Sequence, residues 1–369
     1  MPDDSTKITA LERVAKAWTE AGIVWAVANG LENYPDGIGR DLDVVVGRGS
    51  LRDAVQVVIT CLGEAGWVVI PNRQGWIWWV VAFRENEDGS LASLQVDLFE
   101  HLQWAFTWVV EGVGMDGRLI QRGPFFEDPG AGLAKRFLLH ALSSGSKTFR
   151  KKPAYLVMSE LESVVLPVVL QRVSGREWPE LMNAVKQVDL PLLDRELVAF
   201  RKACYRHALR SPLRGRRFWS AFQKQWVVNL APKQGAPVIE VCGGPKSKIR
   251  GVIEILQSEL ESLVFQKVQL VDELTDPGGR ALRRLSCLQV VLVFVGTRLP
   301  RGLTADLVIS PRENGFMIQT PVADKSLEDF EFSPTNLRRS LMAVFKNSSL
   351  DLIRRHSLRS PNPNKSRNH

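Results

Sequence analysis

The chain has 369 residues, of which 45% are hydrophobic and 24% charged, a composition that can supply two or three domains with separate cores. No apolar run reaches the roughly 20 residues that a membrane-spanning helix needs, and the first residues lack a signal-peptide pattern, so a cytoplasmic protein is expected. The four cysteines form no CxxC pair, which argues against a zinc ribbon.

The formal net charge of +8 is concentrated at the C-terminus. From Arg338 onward the chain has eight Lys or Arg residues and one acid, Asp351. A basic end can contact nucleic acid or an anionic surface, although a solvated, mobile end is the more common role. Residues 357–369 are polar and rich in Pro and Asn, so we expect a disordered basic tail there.

Helix and strand patterns alternate through residues 1–127. Apolar side chains at helical spacing predict helices, and short apolar runs predict strands. The helices are expected over 6–21 and 51–65, and the strands over 24–28, 41–46, 67–70, 76–83 and 94–99. This mixture predicts a mixed sheet covered by helices, the α+β part of the chain.

The remaining chain divides into a helical module and an α/β region. Within residues 128–233, helices are expected over 133–142, 154–172, 178–188 and 194–207. Within residues 234–356, strands are expected over 238–241, 289–295 and 305–310, and helices over 249–263 and 337–355. Strands that alternate with helices are typical of an α/β layer architecture.

Two carboxylates lie close together in the second predicted strand. Asp41 and Asp43 are separated by one residue, so both side chains point to the same face of the strand. Like charges this close repel each other, and a divalent cation removes the repulsion. Because carboxylate oxygens suit Mg²⁺, the pair predicts a magnesium site.

A third acid, Asp97, lies in an otherwise apolar strand between Val96 and Leu98. A carboxylate in such surroundings is costly unless it has a partner. If this strand lies beside 41–46, Asp97 joins the other two acids. Three acids can hold two metals about 4 Å apart, an arrangement that suits in-line displacement at a nucleotide α-phosphate.

Asn29 and Gly30 end the first predicted strand, where a glycine lets the backbone approach a phosphate closely. Together with the segments Gly39-Arg-Asp-Leu-Asp-Val-Val-Val and Leu94-Gln-Val-Asp-Leu, they resemble the nucleotidyltransferase superfamily with the polymerase-β-like fold, over roughly residues 8–125. The chain is similar in particular to bacterial nucleotidyltransferase-like proteins of polysaccharide and exopolysaccharide gene clusters.

The resemblance implies an enzyme that uses Mg²⁺ to transfer a nucleoside monophosphate from an NTP, most simply ATP. It implies that Gly30 binds the triphosphate, that Asp41 and Asp43 bind both metals, and that Asp97 is a metal ligand that helps to activate the acceptor. The acceptor would be a hydroxyl or phosphate group on a sugar, a small molecule or a protein.

The chain departs from the superfamily pattern directly after the glycine. A small residue is expected there, and Leu31 has no hydroxyl for a phosphate oxygen. Asn29 and Arg40 are therefore the predicted substitutes for nucleotide binding. In the following helical module, Lys135, Arg136 and Lys147 are interpreted either as phosphate contacts or as solvated side chains.

The segment that starts at residue 238 resembles the nucleotide-binding loop of a thymidylate-kinase-like P-loop domain. A working loop has the pattern G-x-x-x-x-G-K-S/T, and here Gly243, Gly244, Lys246 and Ser247 are present. Pro245 replaces the second glycine and has no N–H to donate, and the loop is too short. The segment therefore predicts a degenerate P-loop, with a plain α/β domain as the alternative.

Two functions remain open at the level of the sequence. The first is the Mg²⁺-dependent nucleotidyltransferase, which the three acids favour. The second is a non-catalytic nucleotide-binding regulator or scaffold with a decayed kinase domain, which Leu31 and Pro245 favour. No membrane span is expected, and nucleic acid, which is not the expected partner, would bind through the basic tail.

Overall fold

The computed structural model describes about three fifths of the chain. The described residues are 4–39, 41–74, 77–104, 107–111, 113, 119–136, 183, 187, 189–210, 238–242, 246–261, 263, 267–272, 290–296, 305–312, 315–319, 329–355 and 358. Among them, no helix combines the length and apolar character that crossing a membrane requires.

The N-terminal part of the chain forms a mixed sheet with helices. Its first elements are α1 (Asp4–Glu20), β1 (Trp25–Asn29), β2 (Leu42–Val46), α2 (Leu51–Glu64), β3 (Val68–Gln74), β4 (Ile77–Glu85) and β5 (Leu91–Phe99). The elements that follow are β6 (His101–Trp104), β7 (Thr107–Glu111), β8 (Ile120–Arg122), β9 (Phe125–Glu127) and α3 (Pro129–Arg136). The strand and helix types predicted for this part are confirmed, with shifts at their ends.

Seven of these strands form one sheet in the order β3-β4-β5-β2-β1-β9-β8. β2 and β5 lie side by side near its middle and run parallel, whereas β1 pairs with β2 antiparallel and β4 pairs with β5 antiparallel. Glu100 at the end of β5 accepts hydrogen bonds from the backbone N–H groups of Gly49 and Leu51 at the start of α2, over 2.8 and 3.1 Å. This contact ties the end of β5 to the loop that follows β2.

The two faces of the sheet have different coverings. On one face, Val44 of β2 and Val96 of β5 pack with residues such as Trp18 of α1 and Val58 of α2 in one buried apolar core. Since side chains alternate along a strand, the residues between them point to the opposite face. That opposite face, called the acid face below, carries Asp43 and Asp97.

The strand β3 is longer than predicted. Residues 71–75 were expected to separate two strands, but β3 continues through Pro71 to Gln74, and Pro71 pairs with Val80 of β4. β3 lies at the edge of the seven-stranded sheet. A proline fits there because an edge strand has one side on which no ladder hydrogen bond is needed.

A second sheet of six strands follows in the C-terminal part. After α4 (Leu190–Arg210), the elements are β10 (Val238–Cys242), α5 (Lys246–Glu261), β11 (Lys267–Asp272), β12 (Val290–Gly296), β13 (Leu307–Arg312), β14 (Gly315–Gln319), β15 (Asp329–Glu331) and α6 (Pro334–Arg355). The strand order is β11-β12-β10-β13-β14-β15, parallel from β11 to β13 and antiparallel beyond. The chain is therefore a mixed α/β protein.

Helix α6 contacts both sheets. The ring of Phe345 stacks on Phe83 of β4 with a centroid distance of 3.9 Å, and both belong to a core that also contains Ile239 of β10. Arg338 donates hydrogen bonds to both carboxylate oxygens of Glu259 in α5, over 2.7 and 2.8 Å. Arg338 also donates to the carbonyl of Gly89 in the β4–β5 turn, so this helix links the two sheets.

Most of the predicted helical module lies outside the described residues. The helix expected over 154–172 is outside them, as is nearly all of the helix expected over 178–188. The helix expected over 194–207 is confirmed by α4. In the expected tail only Leu358 is described, and its side chain is buried against the core between α1, α2 and the sheet.

Candidate metal centre

The parallel pairing of β2 and β5 brings the predicted acids together. In this register Asp43 lies directly beside Asp97, and Leu42 lies beside Val96. Asp41 precedes β2 and is half-buried at the entry to the strand. Acids that are more than fifty residues apart in sequence therefore share one point on the acid face.

The three carboxylates are close enough to bind one cation together. Asp41, Asp43 and Asp97 each offer an oxygen, and these oxygens all lie within 4.8 Å of one another. Asp43 is 3% exposed and Asp97 is 5% exposed, so little water screens the repulsion between their charges. Three converging carboxylates in such a place are stabilised by a cation or by hydrogen-bond donors.

The donor set fits Mg²⁺ and other hard divalent cations. All three side chains offer carboxylate oxygen, the ligand that Mg²⁺ prefers, and there is no thiolate or imidazole in the group. Mg²⁺ sites commonly combine one or two carboxylates with water and substrate phosphate rather than a full protein cage. Three carboxylates are one more than is common, and they still leave coordination positions for water and substrate phosphate.

Gln95 is a hydrogen-bond donor to this centre that the sequence reasoning missed. Its Nε2 donates to Oδ1 of Asp97 over 2.7 Å, and both side chains are buried. The signal was available in the sequence, because residues i and i+2 of a strand share a face. A buried polar side chain two residues before a buried acid indicates a direct contact between the two.

Gly30 has a structural reason to be glycine. Its φ is +108°, and a Cβ on this residue would lie 2.5 Å from the backbone oxygen of Asp41. The N–H of Gly39 donates to the carbonyl of Gly30 over 3.0 Å, which closes the loop between β1 and β2. The close approach at Gly30 is therefore to the chain segment that carries Asp41.

The predicted nucleotide-binding residues around Gly30 have different surroundings. Asn29 lies beside Asp43 in the β1–β2 pairing and is half-buried. The side chain of Leu31 is only 1% exposed and belongs to the core under the sheet, so it contacts apolar residues rather than a ligand. Arg40 lies outside the described residues.

The acid face also carries an unusual polar residue on β3. The strand pairings place Asn72 beside Trp79, and Trp79 beside Asp97. The side chain of Asn72 is fully buried, and neither its amide nitrogen nor its amide oxygen has a hydrogen-bond partner among the described residues. Sequence reasoning missed this residue because it assigned residue 72 to a loop.

Of the second predicted site, the structure describes only the strand and the helix backbone on either side of the loop. β10 ends at Cys242 and α5 begins at Lys246, so three residues separate the strand from the helix. Gly243, Gly244 and the side chains of Lys246 and Ser247 lie outside the described part. The predicted strand-to-helix junction is confirmed, and its nucleotide contacts remain a prediction.

The basic residues predicted after the first sheet lie at the end of α3 or outside the described residues. Lys135 and Arg136 belong to the last turn of α3, where only the backbone is described, and Lys147 lies outside the described residues. α3 itself is capped by Asp128, whose Oδ1 accepts a hydrogen bond from the N–H of Ala131 over 2.9 Å.

Three carboxylates, one glutamine donor and a glycine-bounded loop make up the candidate metal centre. Its interpretation rests on the types of its ligand atoms and on the strands that carry them. The chain matches none of the family models, curated proteins or solved structures with which it was compared.

Proposed function

We propose that this chain is a Mg²⁺-dependent nucleotidyltransferase. It would transfer a nucleoside monophosphate from an NTP to a hydroxyl or phosphate group of a sugar, a small molecule or a protein. ATP is the NTP that we expect it to use. The observation that carries the proposal is the convergence of Asp41, Asp43 and Asp97 within 4.8 Å on two parallel strands. The resemblance of the segments around Gly30, Asp41 and Asp97 to the polymerase-β-like superfamily supports the same assignment.

In the proposed reaction an acceptor oxygen attacks the α-phosphorus of the NTP. One P–O bond forms, the bond to the β-phosphate oxygen breaks, and pyrophosphate leaves. Asp41, Asp43 and Asp97 would hold Mg²⁺, which when bound neutralises charge on the phosphates. Asp97 would also lie near the acceptor oxygen, where its carboxylate can take the proton that the hydroxyl loses.

The triphosphate would be held by the loop between β1 and β2. Backbone N–H groups after Gly30 and the side chains of Asn29 and Arg40 are the proposed contacts. Because Leu31 points into the core, the side chain at this position contributes no phosphate contact. We expect the backbone and Asn29 to supply most of the binding on this side of the centre.

The remaining chain is assigned to a helical module over 128–233 and a degenerate P-loop kinase-like domain over 234–356. Pro245 immediately precedes α5 and cannot donate a backbone N–H to a phosphate. We therefore propose that the six-stranded sheet does not hydrolyse or transfer phosphate itself. Of the basic tail over 357–369 only Leu358 is described, and its side chain is buried in the core of the first sheet.

A second candidate function has one observation in its favour. The buried Leu31 removes the side-chain phosphate ligand that the superfamily pattern has at this position. A protein that binds an NTP with Mg²⁺ but transfers nothing would be a nucleotide-sensing regulator or scaffold. The two candidates share the metal centre and differ only in turnover.

The test measures binding and turnover in the same full-length preparation. Wild type, Asp41→Asn/Asp43→Asn and the control Asp88→Asn, in an exposed turn, are heated with each NTP, with and without Mg²⁺. A thermal shift that needs both NTP and Mg²⁺, present in wild type and the control but lost in the double variant, is expected. Incubation with α-labelled NTPs and a cell extract then tests for label on an acceptor.

The outcomes separate the two candidates. Label on an acceptor that depends on Asp41 and Asp43 supports the transferase, and a shift without any label supports the regulator. No Mg²⁺-dependent shift with any NTP contradicts both, because then the carboxylates do not form a metal-nucleotide site.

A further inference from the structure

Gln95 and Asp97 form a buried side-chain pair on one face of β5. Nε2 of Gln95 donates to Oδ1 of Asp97 over 2.7 Å, and the two side chains are 4% and 5% exposed. Because both side chains are almost completely buried, bulk water cannot take the place of either hydrogen-bond partner. A buried amide or carboxylate that loses its hydrogen bond keeps the full cost of desolvation.

The surroundings of Gln95 leave few other reasons for a polar residue at this position. Its strand neighbours Leu94 and Val96 point into the core against α1 and α2. In the neighbouring strand Gln95 pairs with the buried Val81. The position beside it on β4 holds an apolar residue, so the hydrogen bond to Asp97, two residues on, is the observed reason for a glutamine here.

The register also brings Gln95 toward the second acid of the centre. Leu42 lies beside Val96 in the parallel pair of β2 and β5. Extending this register by one residue toward the N-terminus places Asp41 beside Gln95. An oxygen of Asp41 lies within 4.8 Å of one of Asp97. The strand position of Gln95 is therefore next to those of Asp41 and Asp97, two carboxylates whose charges repel each other.

We propose that Gln95 is a positioning residue that holds the carboxylate of Asp97 in the orientation needed to bind the cation of the proposed nucleotidyltransferase. This inference rests on the proposed function. The amide donor fixes Oδ1 and with it the rotation of the carboxylate, which directs the rest of the group to the centre. Hydrogen-bonded partners of metal-binding carboxylates commonly have this role.

A neutral donor suits this position better than a charged one. A lysine or arginine here would also satisfy Asp97, but its positive charge would compete with the cation for the three carboxylates. The amide of glutamine offers two N–H donors without a net charge. It relieves repulsion in the cation-free protein and leaves the negative charge of the centre intact.

The test compares cation binding by the full chain in three variants. Gln95→Met keeps the length of the side chain and removes the donor. Gln95→Asn keeps the amide but is one methylene shorter, so its donor no longer reaches Asp97. Ser93→Ala is the matched control, because Ser93 lies on the same strand and face, two residues farther from the acids.

The readout is Mn²⁺ affinity, measured by electron paramagnetic resonance of the free ion, together with the melting temperature without cation. We expect Gln95→Met and Gln95→Asn to weaken Mn²⁺ binding by about 10- to 100-fold. Ser93→Ala is expected to bind as wild type does. If Gln95→Met fails to fold, the affinity of Gln95→Asn decides the result.

Failure of this inference differs from failure of the proposed function. If wild type binds no Mn²⁺, the metal centre and the proposed function are wrong. If wild type binds and both Gln95 variants bind equally well, only the positioning role is overturned. A loss in Ser93→Ala as large as that in Gln95→Met also overturns it, since the effect would then be a general disturbance of β5.

Discussion

The seven-stranded and six-stranded sheets differ in how their predicted sites are built. In the first sheet, acids from two distant chain segments meet because β2 and β5 lie side by side and parallel. In the second, the site would be one continuous loop between β10 and α5. In the described part of the chain, a group of potential metal ligands forms only in the first sheet.

This difference shows how the two kinds of site respond to sequence change. A phosphate-binding loop needs consecutive backbone N–H groups, so a single proline at position 245 removes part of it. A site assembled by strand register depends on a few side chains and on the pairing of their strands. The residues between these strands can change while the site keeps its geometry.

The largest expected effect concerns the helix that joins the two sheets. Phe345→Ala removes a fully buried ring that stacks on Phe83, and we expect a loss of about 3–5 kcal/mol in the free energy of unfolding. Urea unfolding followed by circular dichroism measures it. A loss below about 1 kcal/mol would mean that the stacking of Phe345 on Phe83 contributes little to the packing of α6.

The next effect concerns the acids. Asp97→Asn removes one charge of the centre and keeps the shape of the side chain. We expect Mn²⁺ affinity to fall by about 100-fold or more, a larger loss than for a residue such as Gln95 that only contacts a metal ligand. Without cation the variant should melt at the same or a higher temperature, because a repulsion between carboxylates is removed. Titration calorimetry and a melting curve check the two parts, with Asp88→Asn as the exposed control.

Gly30→Ala is expected to cost about 1–3 kcal/mol, because the positive φ and the backbone oxygen of Asp41 leave no room for a Cβ. The strain should also move Asp41 and weaken Mn²⁺ binding. Gly89→Ala is the comparison variant, since Gly89 also has a positive φ but has no atom near its would-be Cβ. Equal Mn²⁺ affinity in both variants would show that the contact at Gly30 does not support the centre.

Asn72→Leu tests the energetic cost of the buried amide that lies on the same face of the sheet as the acids. Neither polar atom of the buried amide has a partner in the described part of the chain, so an apolar side chain of similar size should raise the free energy of unfolding by about 1–2 kcal/mol. A chemical denaturation curve measures the change. Destabilisation instead would indicate that the amide of Asn72 is hydrogen-bonded in solution, for example by a buried water.

The smallest expected effect is in the second sheet. Lys246→Ala removes the lysine of the degenerate P-loop, and we expect neither the Mg²⁺-dependent thermal shift with NTP nor any turnover to change. In a working P-loop the lysine contacts the β- and γ-phosphates, and its loss would abolish nucleotide binding. A clear loss of NTP binding in Lys246→Ala would assign nucleotide binding to the six-stranded sheet and contradict the comparison drawn above.

Several features of the centre were predictable because they depend on neighbours in sequence. The alternation of side chains in a strand puts Asp41 and Asp43 on one side and identifies Asp97 as an acid in an apolar strand. The same rule would have identified Gln95, two residues before Asp97. Strong local patterns likewise predicted α2, β10 and most of α6.

Other features depend on contacts between distant segments and were not predictable. The strand order, with β2 beside β5 and β3 at the edge, decides that Pro71 is tolerated and that Asn72 lies beside Trp79. β14 and β15 are short strands that a single sequence does not separate from turns. The packing of α6 across both sheets likewise follows from the assembled cores.

The amino-acid sequence alone identified the residues of the two candidate sites: three acids in strand patterns, a glycine after the first strand, and a proline that interrupts the later loop. Spacing along a strand or a loop is a local property, governed by backbone geometry over a few residues. Only the tertiary structure decided that the acids meet, that Gln95 holds one of them, and that α6 joins the two sheets. These depend on burial and strand pairing between segments far apart in the chain, whose free energies no short stretch of sequence contains.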